Sequence, residues 1–303
     1  MLEKIWVEKY RPKKIKAVVG NEQLKKTFEK YIEKDEIPNL MLYGPPGTGK
    51  TTISKILIKT LNCEYLYING SDENGIDVIR NKIGTFVSSV TFDKKFKIVF
   101  IDESDYISLN AQSVLRNLIE SSSDTARFIF TCNYPEKLME PLRSRFQMFE
   151  VKPPDIEMLE ERAKLILGKE EIQFNDKDVK TIVKNSYPDI RKLIQSLQQN
   201  SLDGKLELGV GGIVSDTYKS ELIDMLKKKS SFENIRQLLV NVNAIEFTTL
   251  YKLLFESVDE YAKKNKVQIL LDISEHMYRD SFCVDKEINL SACILKILKS
   301  LGE

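Results

Sequence analysis

Between Asn39 and Glu150, short apolar runs rich in β-branched residues alternate with stretches whose apolar positions recur every three or four residues. The runs 40–43, 65–68, 97–101, 128–131 and 148–151 predict five strands. Between the first two, 51–61 predicts a helix; Ile76, Ile79, Ile83, Phe86, Val87 and Val90 share one face of another over 76–90. Strands that are apolar throughout and separated by helices predict a parallel sheet covered on both faces.

The strand signal stops at Lys152-Pro153-Pro154, because proline supplies no ladder donor and restricts the residue before it. Residues 155–203 are helical in pattern. Asp155 is the expected N-cap ahead of Met158, Leu159, Ala163 and Ile166, and further helices are expected over 176–185 and 189–199. The stretch 202–212, with Gly204, Gly209, Gly211 and Gly212, reads as a linker. Helical segments at 217–229, 232–241, 247–264, 267–282 and 287–301 follow it. The pattern divides the chain into 1–152, 153–204 and 205–303.

Composition narrows this little. The 46 Lys+Arg against 45 Asp+Glu leave no global basic field for nucleic acid or an anionic membrane, so a nucleic-acid role has to rest on a local patch. No apolar run approaches the roughly 18 residues that cross a bilayer, and the first residues lack the apolar stretch of a signal peptide. The four cysteines form no CxxC pair, and a reducing cytoplasm is the expected location, a host's cytoplasm if the source is viral. His276 has no acid or cysteine constellation around it and reads as structural.

The chemistry is concentrated in two places. Gly44-Pro45-Pro46-Gly47-Thr48-Gly49-Lys50-Thr51 fits GxxxxGK[ST], follows a predicted strand and opens a predicted helix, the context that a phosphate-binding loop requires. In such a loop backbone N–H groups curl around the phosphates, Lys50 reaches the β and γ phosphates, and the Thr51 hydroxyl ligates magnesium. About fifty residues on, the strand 97–101 ends in Asp102-Glu103. Asp102 is the expected second magnesium ligand and Glu103 the expected general base, so the pair argues for hydrolysis as well as binding.

These residues resemble the AAA+ ATPases and, within them, the small subunits of replication factor C and their T-even phage clamp-loader counterpart. Val7-Glu8-Lys9-Tyr10-Arg11-Pro12, after Trp6, looks like the family's N-terminal box around the adenine, continued by Val18-Val19-Gly20. Residues 89–93 look closer to the phage version. The resemblance implies an α/β AAA+ domain with a five-stranded parallel sheet, a small helical lid and an all-α collar. It also implies a nucleotide site made of Val7 to Pro12, Val19, Gly44 to Thr51, Thr52, Asn133 as sensor 1 and Arg191 as sensor 2. Arg145, in Leu142-Arg143-Ser144-Arg145-Phe146, resembles the arginine finger given in trans to a neighbouring subunit. Phe146 stands where the family often has cysteine, and Asn74 where cellular members often have an arginine that would couple DNA to Glu103.

The implied activity is ATP-driven opening of a sliding clamp and its loading onto primer–template DNA. The implied partners are the clamp, the DNA and other loader subunits, several copies plus one different subunit in a five-subunit ring. Arg80, Asn81, Lys82 and Asn110 are the DNA-facing candidates, and Phe86 and Phe92 the clamp-facing ones. Val87 and Val90 read as core. Two other readings stay open on sequence alone. A different AAA+ DNA-remodelling machine, a helicase loader or branch-migration motor, would lack the N-terminal box. Against a scaffold that binds ATP without hydrolysing it stand the intact Lys50, Thr51, Asp102 and Glu103.

Overall fold

The computed structural model describes residues 5–89, 96–208, 217–241, 247–262 and 264–302. The chain divides into two compact units, Met1–Leu206 and Glu207–Glu303. In the first, β1 (Leu40–Tyr43), β2 (Tyr65–Asn69), β3 (Lys97–Asp102), β4 (Ala126–Cys132) and β5 (Gln147–Glu150) form one parallel sheet in the order β2-β3-β4-β1-β5. Successive residues of a strand point to opposite faces. Leu40, Leu42, Ile98, Phe100 and Ile129 therefore pack with helices α1 (Glu22–Glu33) and α2 (Lys50–Leu61). Met41, Val99, Ile101, Phe128 and Phe130 pack on the other side with α3 (76–88) and α4 (Leu109–Ser121). Along the central strands β1, β3 and β4 both faces are largely covered, whereas the edge strands β2 and β5 expose Tyr65, Tyr67 and Met148.

Three local readings need correction. Helix α3 is not uniformly α: Ile79–Ile83 is a π turn. Its inward residues Ile79, Ile83 and Val87 recur every four positions, more than the 3.6 of an α-helix, and the wider turn keeps them on one line. Asp155 occupies the N-cap position of α5 (Ile156–Lys169), but its side chain is exposed and caps no N–H. The expected linker begins as a hairpin, Ser201–Leu202 against Lys205–Leu206, turned by Asp203 and Gly204 with φ of 46° and 78°. Two successive left-handed residues are what a two-residue hairpin turn requires. Residues 209–212 of that expected linker, like Val90 of the expected 76–90 helix, lie outside the described residues.

Helices α5, α6 (Asp176–Ser186) and α7 (Ile190–Gln199) complete the first unit and pack on one another through Leu159, Ile166, Val179, Ile182, Leu193 and Leu197. The single turn Trp6–Lys9 packs on α7.

Among the described residues the second unit is helical: α8 (Thr217–Lys227), α9 (Phe232–Asn241), α10 (Phe247–Glu256), α11 (Lys266–Asp280) and α12 (Lys286–Gly302), around a core that includes Leu222, Ile235, Leu254, Ile273 and Ile294. The helix expected over 247–264 breaks at Ser257, after which Val258–Tyr261 forms a separate turn. His276 is buried there, as the sequence suggested, with Nδ1 2.8 Å from Asn289 Oδ1. Asn289 Nδ2 in turn donates to Tyr251 Oη at 2.9 Å and to the His276 carbonyl at 2.8 Å.

Candidate functional site

Every strand of the parallel sheet delivers its C-terminal end to the same edge, and the phosphate loop lies there between β1 and α2. Gly47 has φ +73°, and a Cβ there would fall 1.9 Å from Asp189 Oδ1, so only glycine fits against the start of α7. The Ile190 N–H donates to the Gly47 carbonyl at 3.2 Å, which ties loop and helix directly. Lys50 is buried, and its Nζ donates to the Gly44 and Pro45 carbonyls at 2.8 and 2.7 Å. Burial lowers its pKa below the usual lysine value, with the charges of Asp102 and Asp105 working the other way. An ammonium held dry inside the curl of the loop is poised for an anion.

Asp102 ends β3 facing that loop. Its Oδ1 accepts from Thr51 Oγ1 at 2.9 Å and, more closely, from Thr131 Oγ1 of β4. Thr131 Oγ1 also accepts from the Glu103 N–H at 3.2 Å. The sequence reading missed Thr131, whose signal was a hydroxyl inside the otherwise apolar run of β4. Glu103 then leaves the strand with φ +53°, a left-handed conformation that turns its carboxylate out of the sheet into the cleft. Its carbonyl would lie 2.5 Å from a Cβ at residue 70, so Gly70 is required beside it.

The cleft brings together Lys50, Thr51, Thr52, Asp102, Glu103, Asn133 and Arg191, with Pro46 to Gly49 forming its floor. One end is apolar, walled by Val7, Tyr10, Pro12, Val18, Val19 and Ile194, with Arg11 beside them. Glu8 and Lys9, expected at the nucleotide, face elsewhere: Glu8 accepts from Arg11 at 2.6 Å and Lys9 pairs with Glu170 at 2.7 Å. Gly44 and Pro45 contribute carbonyls to Lys50 and do not line the cleft. Arg162 of α5 lines it, and the sequence reading did not name that residue.

Arg145 sits at the other end of the sheet. It precedes β5 by two residues, and its carbonyl accepts from Asn39, the residue before β1, at 3.4 Å. Its guanidinium pairs with Glu120 and donates to the Pro141 carbonyl. Arg145 and the cleft are therefore separated by the length of the strands.

Arg80, Asn81 and Lys82 are exposed on the π turn, and Lys82 is paired with Glu73. Asn110 is exposed in the first turn of α4. Phe86 is half-buried against the core, with Lys97 Nζ 5.1 Å from its ring centre. Phe92 lies outside the described residues.

Residues 40–154 match the ATPase family associated with various cellular activities (AAA). The replication factor C small subunit of Methanococcus maripaludis is 34% identical, over 98% of this chain and 99% of the relative. That of Sulfurisphaera tokodaii is 34% identical over 97% of this chain and 95% of the relative. The chain belongs to the replication factor C small-subunit family. As a member of that family and of the AAA ATPases, it is an ATPase. Among solved structures, Thermotoga maritima RuvB, a Holliday junction branch migration motor, superposes with a TM-score of 0.56 at 19% identity, covering 76% of this chain and 85% of that one. At that identity the likeness to RuvB speaks for the fold alone, and full-length identity places the chain with replication factor C rather than with branch-migration motors. No helix among the described residues is long and apolar enough to cross a membrane.

Proposed function

We propose that the chain is one subunit of an ATP-driven clamp loader, which opens a sliding clamp, places it on primer–template DNA and lets go when ATP is hydrolysed. The observation that carries this is the split between the cleft and Arg145. Lys50, Asp102, Glu103, Asn133 and Arg191 share one cleft, whereas Arg145 is half-buried at the opposite end of the sheet. An arginine that does not reach its own nucleotide is suited to a neighbour's, and copies arranged head to tail then each complete the next site. Such a contact is worth roughly 10³–10⁵ in rate where it has been measured.

In this reading Glu103 accepts the proton of the attacking water, Asn133 orients that water, and Lys50 and Arg191 hold the β and γ phosphates. Thr51 and Asp102 present two hard oxygens 2.9 Å apart, a donor pair that suits Mg²⁺ and leaves its other positions for phosphate oxygens and water. Bound there, the ion would neutralise charge on the phosphates. Helices α5–α7, taken as 153–204, act as the lid that carries Arg191; residues 1–152 are the nucleotide-binding domain and 205–303 the collar. Loss of the γ phosphate removes what Asn133 and Arg191 hold, and the subunits lose the arrangement that grips the clamp.

Arg80, Asn81 and Asn110 are the better DNA candidates, since Lys82 already has a carboxylate partner. Their contacts would be to phosphates and carry no sequence information. Phe86 and Phe92 remain the clamp candidates, and a ring of several copies with one different subunit is what the resemblance to the phage loader implies.

The test is steady-state ATP hydrolysis by the assembled loader with and without primer–template DNA and clamp. Arg145→Ala and Lys50→Ala should each abolish the stimulated rate, and mixing the two variants should restore part of it, because some interfaces then join an intact cleft to an intact arginine. Full activity in the Arg145→Ala assembly would refute the shared site.

A further inference from the structure

Arg162 lines the cleft, and the reading above gives it no part. Arg162 lies on α5 three residues after Leu159 and four before Ile166, on the face this helix otherwise uses for core packing. A guanidinium on a buried helix face needs partners. Its Nη2 donates to the main-chain carbonyl of Tyr10 at 2.9 Å, and among the described residues no carboxylate pairs with it. Burial holds its pKa below the ordinary arginine value, although it remains protonated at any physiological pH.

The segment it grips has its other ties on the same helical layer. Tyr10 Oη donates to Glu170 of the C-terminal end of α5 at 2.5 Å, Lys9 pairs with that carboxylate at 2.7 Å, and the Trp6 N–H donates to Gln198 of α7 at 3.0 Å. Among the described residues, the hydrogen bonds that residues 6–12 make outside their own segment go to α5 and α7, and none goes to the sheet. The same segment supplies Val7, Tyr10 and Pro12 to the apolar end of the cleft.

We propose that Arg162 is a positioning residue for the base of the nucleotide: by holding the Tyr10 carbonyl it sets the backbone of 7–12 as one wall of the base pocket and makes that wall part of the lid. This rests on ATP occupying the cleft. Base and γ phosphate are then read by one element, since Arg162, the 7–12 segment and Arg191 move together. A triphosphate without a base meets Arg191 and leaves the wall unfilled. Removing the guanidinium leaves the Tyr10 carbonyl unpaired and the wall loosely placed, while the phosphate loop, held by β1 and α2, is untouched.

Binding of ATP and of inorganic tripolyphosphate, both with Mg²⁺, to the full chain tests this by calorimetry. Arg162→Ala should weaken ATP by roughly ten- to a hundredfold, the range of one lost hydrogen bond to a charged group, and leave tripolyphosphate unchanged. Arg162→Lys, which keeps a charge and a donor, should recover most of the loss and guards against a variant that fails to fold. Trp6, the chain's one tryptophan, rides on the segment, and its emission change on ATP addition should shrink in Arg162→Ala. An equal loss for both ligands, or none for ATP, overturns the proposal. Lys50→Ala separates it from the reading it rests on: if that variant binds tripolyphosphate like wild type, the phosphate site itself is misplaced.

Discussion

In Met1–Leu206 one group of buried polar side chains gathers at an open cleft; in Glu207–Glu303 the buried polar side chains meet mainly one another and lysines at the surface. Lys50, Asp102 and Thr131 lie at the phosphate loop or at the strand ends that face it, and all three line one volume. Asp105 Oδ2 accepts from the Tyr134 N–H at 3.3 Å, which steadies the loop just after Asn133. In the second unit His276 and Tyr251 both bond Asn289 across α11, α12 and α10, and Asp272 and Asp280 each meet a lysine, Lys296 at 3.4 Å and Lys286 at 3.2 Å. His276 Nε2 and Asp280 Oδ1 stay buried without a partner among the described residues and share no common space. Burial of polar groups alone thus does not mark a functional site. A site needs groups whose partners are incomplete within the protein and whose open sides face a common space.

The sharpest way to break this contrast is Glu103→Gln. If the cleft is an ATPase centre, hydrolysis in the assembled loader should fall by roughly 10²–10⁴, the usual worth of a general base, while ATP affinity stays near wild type. Hydrolysis that survives the change would show that the carboxylate in the left-handed turn at Glu103 does no chemistry.

Next in size is Asn289→Leu, which leaves the polar atoms of His276 and Tyr251 without their shared partner. Each buried group so orphaned costs a few kcal/mol at most, and the second unit should lose about 2–4 kcal/mol. Trp6 reports the first unit and far-UV circular dichroism reports both, so the two probes separate the units in one urea titration. The fluorescence midpoint should stay while part of the dichroism transition moves to lower urea. A joint shift of both would mean that the polar knot supports more than its own unit.

How much of this was legible beforehand follows the same division. The cleft announced itself because phosphate chemistry needs Gly, Lys and Thr at fixed short spacings, and because an apolar strand ending in Asp102-Glu103 has few other uses. The central strands were visible for a related reason, since strands covered on both faces leave few polar positions to confuse the period, and the edge strands still carried aromatic and apolar residues. Helix α1 escaped notice although Leu24, Phe28, Tyr31 and Ile32 carry helical spacing, because its apolar stripe is narrow and most of its remaining positions are lysine and glutamate. Arg162 and Thr131 were missed for another reason: Arg162 sits in the charged run 160–164 and Thr131 at the end of an apolar run, and only the fold shows what lies across from each. The hairpin at 201–206 was hidden because glycine-rich sequence serves tight turns and linkers alike.

The smallest expected effect concerns the tie between the N-terminal segment and α5. Burial alone would raise the pKa of Glu170, but hydrogen bonds from Lys9 and Tyr10 outweigh it and hold the carboxyl below its ordinary value. Burial, with Glu170 adding to it, pushes the Tyr10 phenol up to about 12, so this hydroxyl keeps its proton to donate through the neutral range. A carboxylate with a depressed folded pKa contributes stability that is present above its unfolded value, about 4.3, and is lost as pH falls through the lower folded value. Trp6 emission should therefore be flat from neutral pH down to the carboxylate range and shift below it, before far-UV dichroism reports unfolding. Glu170→Gln, which keeps an acceptor for Tyr10 but gives up the charge that holds Lys9, should show the shifted emission already at neutral pH and no step on acidification. An identical acid step in both proteins would assign the titration to another carboxylate and leave Arg162 and Gln198 as the contacts that anchor the segment.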